Sequence, residues 1–254
     1  MLNVDKMEWL LVGSRRTLSS LDITRPVLQL GGNIVTASDH VRLHGVDIVS
    51  DLSLDRHANN VSASCFYHLR QMRRIRRSLD KQPVITLVHA LVSTRVDYCN
   101  SVLAAAPKTT TDKLQHVLNA AARVISNTRK FDRGLSQLLH DDLHWLDVPD
   151  RVAFKLIVTV HRCLNGRAPN YLLNHVIPVS TILSRQRLRS AQQNTLVVPR
   201  YRLTTYGRRA FSVAGPTAWN SLSVAFRDPT ISDACFRWHL KTVLFTQQRR
   251  HHSV

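Results

Sequence analysis

Acidic residues are scarce in this chain of 254 residues: 17 Asp and Glu stand against 35 Lys and Arg, a formal charge of +18. So one-sided a balance excludes a surface that mixes signs for solubility alone and points to a polyanionic partner. Glycine (8) and proline (9) are also few, and with 44% hydrophobic residues this excludes a disordered chain. Long apolar runs are missing as well, because His89 interrupts Val84 to Val92, well short of the roughly 18 residues of a membrane span. The N-terminus carries neither a basic leader nor an apolar segment of signal-peptide length. Only four cysteines occur, Cys65, Cys99, Cys163 and Cys235, far apart and inside apolar-patterned segments. That spacing excludes a disulfide framework and a CxxC zinc site, and reads as core thiols of a reduced, intracellular compartment. There is no repeat of solenoid period, and no GxSxG, GxxxxGK[ST] or local Cys-His signature.

What is abundant is arginine, 28 of the 35 basic residues. Its planar fork matches phosphate oxygens in pairs, whereas lysine offers a point charge. The excess concentrates in two places. Residues 61–105 hold Arg70, Arg73, Arg74 and Arg77 on one arc of a helical pattern whose opposite arc carries Val61, Cys65, Leu69, Met72, Ile75 and Leu79. After a break at Lys81-Gln82-Pro83, Val84, Leu87, Val88, Leu91, Val92 and Val96 predict a second, more deeply buried helix, so the stretch reads as a helical hairpin with a cationic outer face. Residues 180–254 hold 11 Arg and 1 Lys against 2 Asp, a net +10. There Arg187, Arg189, Arg208 and Arg209 interleave with Tyr201, Tyr206, Phe211 and Trp219, aromatics that suit base stacking but more often serve as core.

The remaining chain sets the architecture. Residues 1–55 show short β-prone pieces, Trp9 to Val12, Val27 to Leu30, Ile34 to Val35 and Val41 to Ile48, expected as a hairpin or meander. A helix is expected from Asp112 to Asn127, capped by Thr111, and another beginning at a cap on Asp147 and ending at Gly166. Between them lies a short segment from Gly134 to His140, and a brief helix is expected over Pro169 to Val176. Further on, Leu196 to Val198 and Tyr201 to Tyr206 read as extended, Gly215-Pro216 as a turn, and Ser232 to Phe245 as a final helix with a frayed tail beyond Thr246. The fold class is therefore mainly α: a helical bundle preceded by a small β portion and followed by a basic, partly extended region with a final helix. The expected divisions are 1–55, 56–179 and 180–254.

Catalysis finds no residue set. Asp141-Asp142 is the one adjacent acidic pair, but it lacks the β-prone flanks on which a polymerase carboxylate pair would sit. His140, Asp141 and His144 supply mixed ligands within five residues and no second cluster, too little for zinc. Arg95 and Asp97 are expected to pair locally at a helix end. No catalytic residue, metal or cofactor is assigned.

The order of segments resembles a known family. SASCFYHLRQMRRIRRSLD, LVHALVSTRVDYCNSVL, DKLQHVLNAAARVISN, LHWLDVPDRVAFKL, GRAPNYLLNHV, RLRS and YGRRAFSVAGPTAWNSL are similar to the segments that follow the reverse transcriptase domain in LINE-type (non-LTR) retrotransposon polyproteins. LNVDKMEWLLVG and VRLHGVDI resemble the end of the polymerase palm, with Met7 where the family usually has Thr and His44 where it usually has Leu. The resemblance implies a palm remnant over 1–55, a thumb-like helical bundle over 56–179 and a basic C-terminal region over 180–254. It implies that Lys6 belongs to the palm near incoming nucleotide, that Mg²⁺ serves the parent polymerase rather than these residues, and that the paired catalytic aspartates are absent from this stretch. The expected function is that of a catalytically incomplete fragment holding RNA or DNA by backbone phosphates through Arg70, Arg73, Arg74, Arg77, Arg187, Arg189, Arg208 and Arg209. A truncated gene model of an active RNA-directed DNA polymerase and a helical protein-interaction module stand as the alternatives.

Overall fold

The computed structural model describes residues 7–20, 27–30, 32–129, 131–187 and 192–252. It is mainly helical, with two small antiparallel sheets on the N-terminal side. Two compact units divide it, Met1–Ser64 and Cys65–Val254.

In the first unit a short helix α1 (Arg15–Ser20) precedes two hairpins, β1 (Val27–Leu30) with β2 (Asn33–Thr36), and β3 (His40–Leu43) with β4 (Val46–Val49). Val41 to Ile48 is thus two strands and not one, because His44 and Gly45 both take positive φ (47° and 80°) and close a tight turn of the primed kind. Trp9 to Val12 forms no strand. Leu10 makes a single bridge to Ser38, and the Trp9 indole N–H donates to the Val35 carbonyl at 3.0 Å. Among the described residues each sheet has two strands, and Val27, Leu28 and Ile34 are exposed on the first. Helix α2 (Asp55–Ile75) begins here, where the Asn60 amide donates to Asp47 Oδ2 at 3.0 Å.

Among the described residues, the regular structure of the second unit is all helical. From Cys65 onward α2 buries Cys65, Leu69 and Met72, as the apolar arc predicts, whereas Ile75 is 49% exposed. Helix α3 (Lys81–Val88) accepts Pro83 in its first turn, where no intrahelical N–H is required. It runs on through a π-helical turn (His89–Ser93) into α4 (Thr94–Asp97), burying Val84, Val88, Val92 and Val96. Helix α5 spans Lys108–Ser126, a turn earlier than expected: Pro107 leads into it, and the Thr111 hydroxyl donates back to the Lys108 carbonyl from inside the helix. Leu114, Val117, Leu118, Ala121, Val124 and Ile125 recur at helical spacing and form its buried face. Helix α6 (Leu135–Gln137) passes into a second π-helical turn, Leu138–Asp142.

Helix α7 (Val148–Leu164) is central, packing against α5 and against the later helices α10 (Phe211–Asn220) and α11 (Asp233–His252). Gly166 ends it in the left-handed region (φ 64°), with the Arg167 N–H returning to the Arg162 carbonyl at 2.8 Å. Short helices α8 (Asn170–Leu173) and α9 (Thr204–Gly207) lie in the connections. Ile157, Val160, Val176, Leu196, Trp219, Phe236 and Leu240 belong to one core, so residues on both sides of the expected 179/180 division pack together. Three expectations for this region are corrected. Tyr201 to Tyr206 is not a strand, since Thr204 starts α9, and Leu196 makes only an isolated bridge to Pro178. Gly215-Pro216 is no turn but lies within α10; a Cβ on Gly215 would stand 3.0 Å from Val160 Cγ2, so the missing side chain serves close packing on α7. The final helix continues past Thr246 to His252.

Candidate nucleic-acid interface

Positions 70, 73, 74 and 77 follow the three- and four-residue steps that stack side chains on one helix face. Helix α2 and the 3-10 turn after it (Arg76–Ser78) carry Arg70, Arg73, Arg74 and Arg77 on such a stripe, all exposed. Among the described residues none of the four guanidinium groups has a hydrogen bond or ion pair, so their donors face solvent.

Arg76, in the middle of the same run, does the opposite. Its Nε donates to the Val124 carbonyl and its Nη2 to the Ile125 carbonyl, both at 2.9 Å, while Nη1 donates to the Leu79 carbonyl at 2.8 Å. Val124 and Ile125 are among the last four residues of α5, whose carbonyls have no intrahelical partner. The guanidinium therefore closes the C-terminus of α5 and adds favourable charge at the negative end of its dipole.

The C-terminal arginines are placed differently. Arg187 is exposed. Arg208, also exposed, donates from Nε to the Tyr201 hydroxyl at 3.0 Å, and Arg209 is half-buried in the turn before α10. They lie on other elements than the α2 stripe. Arg189 and Lys6 fall outside the described residues. Of the interleaved aromatics, Trp219 is wholly buried, its indole N–H donating to the Asn194 carbonyl at 2.9 Å; Tyr206 and Phe211 are half-buried.

No protein-family model, curated protein or solved structure matches this chain.

Asp141 and Asp142 are exposed on the second π-helical turn, while His140 is buried with Nδ1 2.9 Å from the Trp145 carbonyl. Among the described residues no group of three His, Cys, Asp or Glu is placed to hold a metal ion, and no helix is long and apolar enough to cross a membrane.

Local sequence carries no signal for the polar links between helices. Asp97 receives a hydrogen bond from Arg151 Nη1 at 2.7 Å, across 54 residues, where a local partner was expected. Asp147 makes no cap with its own side chain; Gln115 of α5 accepts from the Val148 N–H at 2.9 Å and donates to Asp147 Oδ1 at 2.8 Å.

Proposed function

We propose that this chain holds RNA or DNA through backbone phosphates, as the region following the palm would in a LINE-type reverse transcriptase, which its order of segments resembles. The observation that carries the reading is the row of four exposed arginines on α2, Arg70, Arg73, Arg74 and Arg77, without protein partners among the described residues, on a chain of formal charge +18. A guanidinium left in solvent gains little from the fold and is available to pair with two phosphate oxygens. Arg187, Arg208 and Arg209 add positive charge on the C-terminal side, and Arg189 adds to it in sequence. Contacts of this kind fix a strand without reading its bases.

The test is fluorescence anisotropy of labelled single-stranded RNA and duplex DNA with the full chain over a range of salt. Phosphate contact predicts that log K falls with log salt by about 0.7 per neutralised phosphate on single strands and about 0.9 on duplex DNA. Binding that is absent, or that salt leaves unchanged, overturns the reading.

A further inference from the structure

Away from the arginine row, α11 has its one acidic residue at its start, and past it every Lys, Arg, Asp or Glu of the helix is a cation. That acid, Asp233, is turned to the protein: one oxygen accepts from Arg162 Nε at 3.1 Å and the other lies 3.2 Å from His161 Nδ1. Phe236, Leu240 and Leu244, at four-residue steps, are buried in the core. Helical geometry then puts Trp238 roughly 160° away from both Phe236 and Leu240, on the opposite side. Its side chain is 66% exposed, whereas Trp145 and Trp219 are 4% and 0% exposed. Tryptophan is highly buried on average, so one standing this far in water contributes little to the fold that holds it.

The indole has a fixed backing. Its ring centre is 5.1 Å from that of half-buried His239, which meets Phe226 edge to face at 6.4 Å and has Cys235 Sγ 3.6 Å from its Nδ1. Two exposed cations flank it in the same stretch of helix. Arg237 precedes it and Lys241 lies three residues on, its Nζ 5.7 Å from the centre of the Phe245 ring; neither forms an ion pair among the described residues. The other neighbours at three- and four-residue steps, Ala234, Cys235 and Thr242, are small and exposed. A helix that lies in a membrane surface needs a stripe of large apolar side chains at those steps, and the core of a protein interface is depleted of lysine. A single aromatic plane set among cations matches instead an unpaired base and the phosphates on either side of it.

We propose that Trp238 is a stacking platform for one unpaired base of a bound single strand, with Arg237 and Lys241 on the flanking phosphates. The inference deepens the nucleic-acid reading and rests on it. It adds what the arginine row lacks, a preference for single strands, because a paired base is already stacked inside its duplex and offers no free face. Every base has such a face, so the platform selects unpaired strand and not sequence.

The experiment measures, by fluorescence anisotropy on the full chain, the affinity for an oligodeoxythymidylate, for an abasic strand of the same length and for duplex DNA. The oligodeoxythymidylate should bind about fivefold to a hundredfold more tightly than the abasic strand, the range that one stacked base contributes. Trp238→Ala should abolish that difference while leaving the abasic strand, the duplex and the circular dichroism unchanged. The oligodeoxythymidylate should also quench part of the intrinsic fluorescence, and Trp238→Phe should remove that quenching. Arg237→Gln and Lys241→Gln should weaken all three ligands. The proposal is overturned if the abasic strand binds as well as the oligodeoxythymidylate, if Trp238→Ala keeps the discrimination, or if it weakens all three ligands equally; salt-dependent binding of the three then leaves the phosphate reading standing alone. Uptake by phosphatidylserine vesicles that depends on Trp238, with no discrimination against the abasic strand, gives this face to a lipid surface and also overturns the proposal. If none of the three ligands binds, both readings fall.

Discussion

The Arg76 guanidinium donates from Nη2 to the Ile125 carbonyl at 2.9 Å, joining the end of α2 to the end of α5 through an arginine whose neighbours Arg74 and Arg77 face solvent. Each of its three contacts is a charge-assisted bond to a backbone carbonyl. Arg76→Ala should therefore destabilise the chain by about 2 to 3 kcal/mol, bonds to a charged group being worth roughly 1.5 to 3 kcal/mol each but not additive and here only half-buried. Arg77→Ala should stay within about 0.5 kcal/mol, as surface changes do. Urea denaturation measures both, and equal losses would refute the division of roles.

The binding role falls to the other arginines. Replacing Arg70, Arg73, Arg74 and Arg77 together by Gln should weaken RNA and DNA binding to a similar degree across sequences and lower the salt slope by about 3, if each arginine neutralises one phosphate. Gln keeps helix propensity close to that of Arg, so far-ultraviolet circular dichroism should not change. Unaltered affinity in a folded variant would mean that this face is only solvated.

How far the sequence foretold these features depends on the range of the physics involved. The faces of α2, α5 and α7 were readable because Cys65, Leu69, Leu114, Leu118, Val152 and Val160 recur at helical spacing, and that spacing holds wherever the helix later packs. The β1–β2 hairpin followed from turn residues between β-prone runs. Helix α10 was hidden because Gly215-Pro216 is a strong local turn signal, overridden by close approach to Val160, which is distant in sequence. At the interface, the exposed arginines were legible as a stripe and helical spacing left Arg76 off it, but the carbonyls it binds depend on α5 ending beside it. The Asp97–Arg151 pair is likewise a long-range fact.

In the first unit, His57 is buried beside Asp47, whose backbone N–H donates to its Nδ1 at 3.4 Å. Burial lowers the imidazole pKa below its ordinary value of 6.5, against the opposing charge and hydrogen bond of Asp47 and with a smaller push from Arg42. The folded state then binds its proton less readily than the unfolded chain. The neutral ring contributes stability that is fully present above about pH 6.5 and lost as pH falls through the lower folded value. An NMR titration of the full chain should place His57 below 6.5, and His57→Asn should flatten that part of the pH dependence of unfolding. A folded value at or above 6.5 would show that the Asp47 carboxylate outweighs burial.

At the start of α7 the residue with the usual capping chemistry is not the one that caps. Asp147 precedes the helix, yet the Val148 N–H is received by Gln115 Oε1 from α5, and Asp147 accepts from the amide of the same Gln115. Gln115→Ala removes both bonds, together with the one its amide donates to Asn119 Oδ1 at 3.1 Å, and strands an N–H on a residue that is almost wholly buried, which should cost about 1 to 3 kcal/mol. Asp147→Ala removes one bond and a favourable charge near the helix N-terminus but leaves Val148 partnered, for a loss of about 1 kcal/mol. The two residues share one bond, so the double variant should cost less than the sum of the singles. Denaturant unfolding of the three variants decides the order: if Asp147→Ala proves the costlier single change, the aspartate is capping α7 directly, as the sequence suggested, and the link from α5 is incidental.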